Sequence, residues 1–211
     1  MELREYSRSS AAVSLSRDLM SIPFTHNVAS LTEVIAESTG KLTHIPASYV
    51  RAWLPDLAAP RGWTSAVADD PRVTRVLTRH TDSGHTWDGC EVLNVYRVSR
   101  AVPEDLVLRN AERALRDCAA TGIQTYRLVT PPRYGLVATR SSGTLNTDPR
   151  PIHADFNYYV FNTDAGGALV EQVLAVGVDA YAALAREVVE LTENLYRSLA
   201  MRIDRALASS T

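Results

Sequence analysis

Lysine is almost absent from this sequence. Of 22 basic residues only Lys41 is a lysine, and the arginines are interspersed with acids rather than gathered into runs. With a formal net charge of −2, the chain has no electrostatic footprint for nucleic acid, and none is expected as a partner. Cysteine is scarce as well. Cys90 and Cys118 are too few to frame a disulfide scaffold, and a chain of this length builds a core without one, so both are expected as free thiols. No apolar run approaches the ~20 residues that span a bilayer as a helix, so no transmembrane segment is expected. The first residues, Met1-Glu-Leu-Arg-Glu-Tyr, hold no continuous apolar stretch of the kind a secretory signal carries. The expected compartment is therefore cytoplasmic, with a route that uses no cleaved signal, or the cell envelope, left open. Familiar catalytic signatures are missing too: there is no G-x-S-x-G elbow, H-E-x-x-H, P-loop or G-x-G-x-x-G. No catalytic residue, metal or cofactor is assigned on this reading.

What is present belongs to a folded chain. A length of 211 residues suits one core better than two, and 45% hydrophobic with 22% charged residues is the composition of a globular protein. Residues 1–29 are mixed and weakly periodic and read as an N-terminal extension; 30–208 read as one domain. The clearest stretch is the last third. Phe156-Asn-Tyr-Tyr-Val-Phe-Asn162 and Ala168–Val176 are β-rich segments around the turn residues Asp164-Ala-Gly-Gly167, which predicts a hairpin. Beyond Gly177, Asp179 is the expected N-cap of a helix whose apolar residues recur at Tyr181, Leu184, Val188, Leu191, Leu195, Leu199, Ile203 and Leu207. Its charges pass from Glu187, Glu190 and Glu193 to Arg197, Arg202 and Arg205, the order that the helix dipole favours.

Upstream, Ser30-Leu-Thr-Glu33 is a capping box opening a short helix that Gly40 stops. Pro46, Pro55 and Pro60 exclude long elements, leaving Ala47–Leu54 as a turn of helix or a short strand. Strands are expected over 72–79 and 91–98. A helix is expected from Pro103 to Gly122, with Pro103 at its first position, followed by strands over 123–130 and 134–139 around Pro131-Pro132. Residues 141–151 read as a looser connection. Strands in runs flanked by helices predict an α+β fold, a largely antiparallel sheet covered by helices, with a long C-terminal helix.

Ser30-Leu-Thr-Glu-Val-Ile-Ala-Glu37, His44-Ile-Pro46, Pro60-Arg-Gly-Trp63, the β-β-α order and the ending from Tyr159-Val160 through Leu169 to Leu199 together resemble the LpqN/LpqT lipoprotein family of mycobacteria. The resemblance covers roughly residues 30–200. It implies a fold like that of the photosystem subunit PsbP and the Ran-binding protein Mog, an actinobacterial source and a non-enzymatic binding or adaptor role; the arginine and alanine bias reads as the codon composition of a GC-rich genome. The family's signal peptide and lipidated cysteine have no counterpart before Ser30, and no functional residue carries over.

Three constellations carry chemistry. His80-Thr-Asp-Ser-Gly-His-Thr-Trp-Asp-Gly-Cys90 gathers two imidazoles, two carboxylates and a thiol, yet follows no established zinc spacing, and its Asp-Ser-Gly and Asp-Gly are ordinary turn pairs. His153 and Asp155 share one face of an extended chain, as an acid–base pair would, although such a pair is more often a surface hydrogen bond. Ser141-Ser142-Gly143 reads as a loop. The aromatics Trp53, Trp63, Trp87, Tyr134, Tyr158 and Tyr159 either pack the core or line a groove; of these Trp53, Trp63, Tyr134 and Tyr158 are the ligand-binding candidates. The expectation is thus a binding protein for a protein partner or a lipid-like molecule, compatible with a homodimer. The alternative is a hydrolase or metal-assisted enzyme using His153 and Asp155 or the His80–Cys90 loop.

Overall fold

The computed structural model describes residues 30–54, 57–67, 73–80, 87–163 and 166–209. The expected N-terminal extension, His85 and the middle of the His80–Cys90 loop lie outside them. In chain order the elements are α1 (Leu31–Thr39), β1 (Leu42–His44), α2 (Ala47–Trp53), β2 (Trp63–Ala66), β3 (Arg75–Arg79), β4 (Gly89–Val98), α3 (Glu104–Asn110), α4 (Arg113–Asp117), β5 (Thr121–Arg127), a 3-10 turn (Pro132–Tyr134), β6 (Leu136–Leu145), β7 (Ile152–Thr163), β8 (Gly166–Gly177) and α5 (Tyr181–Ala208).

Eight strands make one antiparallel sheet in the order β2-β3-β4-β8-β7-β6-β5, and β1 pairs with the end of β4 that β3 does not reach. The hairpin and helix of the last third form its centre: β7 and β8 pair from Ile152↔Gly177 to Thr163↔Gly166, and α5 then runs back across one face. Leu184, Val188 and Leu191 pack with Trp63, Leu77, Leu174 and Val176, while Leu195 and Leu199 pack with Leu93, Val95, Tyr159, Val170 and α2. The buried stripe of α5 follows the predicted period. On the opposite face, α1, α3 and α4 cover Val98, Val137, Leu145, Phe156, Val160 and Leu169.

Local chemistry accounts for the ends. The Ser30 hydroxyl accepts from the Glu33 amide at 3.4 Å, as a capping box requires, and Gly40 closes α1 at φ 99°. Gly89 lies under Trp63, where a Cβ would stand 2.9 Å from the indole ring, so only glycine lets the side chain lie flat on β4.

Several elements differ from expectation. α5 begins at Tyr181, and Asp179 instead accepts from the Ala180 amide and from Arg150. The helix expected from Pro103 to Gly122 is two short ones broken at Ala111–Glu112. Ala119 makes the turn after them at φ 54°, Pro103 stands outside α3 as its cap, and Gly122 sits in β5. β6 continues through Ser141-Ser142-Gly143 to Leu145, where a loop was expected, because Ser141, Gly143 and Leu145 pack inward; a Cβ on Gly143 would meet Ala120 and Ile123. β1 and β2, of three and four residues, carry too little pattern to be seen in sequence.

Candidate functional site

The four candidate aromatics lie in three places. Trp63 packs beneath the first half of α5, where its indole N–H donates to Glu187 Oε2 at 2.7 Å and Arg79 Nε donates to the same oxygen at 3.0 Å. Trp53 and Tyr134 flank the second half of α5, and Tyr158 is on the other face of the sheet. One groove lined by all four is therefore not what the fold builds. A ladder in which neighbouring side chains point to opposite faces separates them.

Trp53 and Tyr134 share the more open surface. Trp53 meets Phe161 edge to face at 6.4 Å, Tyr159 approaches Tyr196 at 6.5 Å, and the Tyr134 hydroxyl donates to Asp204 at 2.8 Å, tying the 3-10 turn to α5. Trp53, Phe161, Tyr196, Leu128 and Ile203 are half-buried, so this end of the core reaches solvent. Exposed apolar side chains extend it: Tyr49 stands one turn before Trp53, Leu207 one turn after Ile203, and Val129 next to Leu128 with 96% of its surface exposed. Exposed apolar side chains next in sequence to such a half-buried group mark a candidate interaction surface.

Beneath α5 the sheet carries a polar row that the sequence reading did not anticipate. Arg75 pairs with Glu91 at 2.7 Å, Gln172 donates to Glu91 at 2.6 Å and to the Leu191 carbonyl at 3.4 Å, and Asn157 donates to Gln172 at 3.2 Å. Burial pushes the Glu91 carboxyl above its ordinary value, with Arg75 and Gln172 opposing the shift. Farther along β7, Asp155 accepts from Arg140 at 2.5 Å, and His153 Nε2 lies 3.5 Å from its second oxygen. Burial works to raise the Asp155 pKa, but the His153 and Arg140 hydrogen bonds outweigh it and hold the group below the usual carboxylate value. The His153 ring packs 4.4 Å from Tyr181 at the start of α5. His153 and Asp155 therefore do share a face, as expected, but as part of an Arg140 ion pair.

Tyr158 stands in a second polar row, on the opposite face. Asn94, Glu171, Tyr158 and Thr139 are successive register partners across β4, β8, β7 and β6. Glu171 accepts from Asn94 Nδ2 at 3.0 Å and from Thr32 of α1 at 3.3 Å. Burial raises its pKa, partly offset by hydrogen bonds from Asn94, Thr32 and Tyr158. Asn94 Oδ1 and Thr139 Oγ1 are buried there without a hydrogen-bond partner. Such rows could have been sought in the sequence as polar residues at alternate positions of long strands, but only the register shows which of them meet.

At the described end of the His80–Cys90 segment, Cys90 turns into the core. The thiol is buried among Val76, Ile152 and Ala175, which pushes its pKa up, and His80 Nε2 lies 3.3 Å from the Thr78 hydroxyl. Among the described residues no three His, Cys, Asp or Glu side chains stand together as metal ligands. Trp87 and Asp88 belong instead to a staple made by Arg150, whose guanidinium binds the Trp87 carbonyl, Asp88 and Asp179 and lies over the Trp87 ring at 5.6 Å.

No protein-family model and no curated protein sequence matches the chain. Among solved structures, LpqN of Mycobacterium tuberculosis, described as involved in cell envelope biogenesis, is similar with a TM-score of 0.60 at 13% identity, over 79% of this chain and 96% of that one. A STAR-related lipid transfer protein from Xanthomonas axonopodis aligns over 68% of this chain and 99% of that one, at 12% identity and a TM-score of 0.25, below the level of a shared fold. The similarity to LpqN shows the fold: an antiparallel sheet with helices and a long C-terminal helix.

Proposed function

We propose that this protein is a non-enzymatic binding module that takes a lipid-like or other amphipathic ligand on the aromatic surface at the C-terminal half of α5. The observation that carries this reading is the half-buried group Trp53, Phe161, Tyr196 and Ile203, continued by exposed Tyr49, Val129 and Leu207. These side chains offer flat apolar area, which suits an acyl chain or the apolar face of a partner. Involvement in cell envelope biogenesis is a description of LpqN; extended to this chain, it makes an amphiphile of an actinobacterial envelope the first ligand to test. Apolar contact should give binding with weak salt dependence and a negative heat-capacity change. Native mass spectrometry of protein purified from its own host tests the proposal: a co-purifying amphiphile supports it, and a bound macromolecular partner with no amphiphile overturns the ligand class.

A second reading, a hydrolase, rests on the His153–Asp155 contact at 3.5 Å. A carboxylate beside an imidazole can orient a general base. Here Arg140 also engages that carboxylate, an arrangement equally explained by a structural ion pair. Activity on ester substrates that disappears in His153→Ala would place the enzyme reading first.

A further inference from the structure

The two ends of the sheet, β2 and β5, are not alike. β2 has four residues, short enough to blunt an edge. β5 has seven, and all of them but Ile123 are exposed. Among the described residues no strand pairs with its outer side. Leu128, one step beyond the Arg127↔Thr139 pair, donates its amide to the Ala138 carbonyl at 2.9 Å. Alternation along the ladder then turns the backbone of Gln124 and Tyr126 toward β6 and leaves the N–H and C=O groups of Thr125 and Arg127 directed outward. Natural sheets guard such an edge with lysine, proline, a bulge or a covering element. β5 holds neither lysine nor proline, and its register shift is confined to Thr121–Gln124, so Gln124–Arg127 is a regular, open template.

Its side chains fit the same edge of a second copy. On the face that α3 and α4 cover, Arg127 pairs with Glu104 at 2.6 Å, and the Thr125 hydroxyl donates to Glu112 at 3.0 Å. Tyr126 and Gln124 share the other face, joined by a hydrogen bond, and Tyr126 is 52% exposed. When two β5 strands run antiparallel about a two-fold axis at Tyr126, Thr125 faces the partner's Arg127, and each such pair exchanges both backbone hydrogen bonds. Tyr126 then stands opposite the partner's Tyr126, at the closer spacing of a non-hydrogen-bonded pair, where aromatic side chains interact favourably. The partner's Arg127 comes beside Glu112, which in its own chain pairs with Arg116, so an acidic position on each copy meets a basic one from the other. Gln124 opposite the partner's Leu128 completes the register without bringing like charges together. We propose that β5 is a self-association edge, which joins two copies of this chain through an antiparallel β5–β5 pair into one continuous sheet. The contact is made by the strand's backbone edge and is separate from the aromatic end of α5.

Sedimentation velocity of the full chain over a series of concentrations tests this. The expected result is a monomer–dimer equilibrium. Tyr126→Glu and Tyr126→Lys each set like charges across the two-fold axis, so either variant alone should weaken association at least tenfold. An equimolar mixture of the two should restore it, because opposite charges then face each other. Both variants change an exposed side chain and should keep the circular dichroism spectrum; if one fails to fold, the loss in the other decides. Trp53→Ala should leave the dimer intact. A chain that stays monomeric up to submillimolar concentration overturns the proposal, whether its edge is bare or takes an extended peptide of another protein. So does a dimer that the folded Tyr126 variants retain, a dimer lost in Trp53→Ala, or a mixture that associates no better than either variant alone.

Discussion

Gln172 Nε2 lies 2.6 Å from Glu91 Oε1, linking β8 to β4 directly beneath the Leu191 turn of α5, whose carbonyl the same amide also reaches. The long helix is thus held to the sheet by apolar packing on both sides of a buried polar contact. A glutamine there serves two elements at once, so the register of α5 on β8 depends on it. Gln172→Leu keeps comparable volume but leaves Glu91 with Arg75 alone; because one buried carboxylate oxygen loses its donor, it should cost about 1–3 kcal/mol, read from denaturant midpoints.

Apolar packing supplies the rest. Leu195 is wholly buried against Tyr159 and Val170, so Leu195→Ala should destabilise by about 2–5 kcal/mol. Glu190 is exposed on the same helix, and Glu190→Ala should change stability by less than about 0.5 kcal/mol. Similar small effects from both would contradict the packing described for α5.

Much of this architecture was legible beforehand, and the reason is length. β7, β8 and α5 are long enough for their periods of two and 3.6 to dominate, and the sequence located all three. Ser141-Ser142-Gly143 misled because small polar residues usually mark loops, whereas here they fit close under neighbouring packing. The candidate site was less legible. Trp53 and Tyr134 do border an open surface together, but Trp63 and Tyr158 are drawn elsewhere by the Glu187 hydrogen bond and by strand alternation. The polar rows depend on register, and no short motif encodes register.

Arg150 joins three connections through Trp87, Asp88 and Asp179, and Asp88 is completely buried. Removing one partner of a buried pair is strongly destabilising, so Arg150→Ala should cost about 3–5 kcal/mol. Arg150→Ala with Asp88→Asn should recover part of that. Thermal melts of the single and double variants check the coupling, and strictly additive losses would contradict it.

Stability should depend on pH through two opposing groups. Hydrogen bonds and charge from His153 and Arg140 hold Asp155 below its ordinary value, so its contribution is complete above the unfolded value of about 4 and fades as pH falls through the lower folded value. Asp155→Asn should flatten urea midpoints in that acidic range. Glu91 and Glu171 act with the opposite sign: burial raises both, so their contribution is present below about 4.3 and is lost as pH rises through the higher folded values. Glu171→Gln should therefore gain on wild type as pH increases from 4 to 7.

The most direct test of the binding surface is a titration of the full chain with dodecylphosphocholine below its micelle concentration, followed by calorimetry and tryptophan fluorescence. Saturable binding is predicted, with a negative heat-capacity change and little dependence on salt. Trp53→Ala combined with Ile203→Asp should weaken it at least tenfold, and His153→Ala should leave it unchanged. Failure to saturate, or binding that is lost in His153→Ala and retained in the Trp53/Ile203 variant, would contradict a binding module centred on the aromatic end of α5.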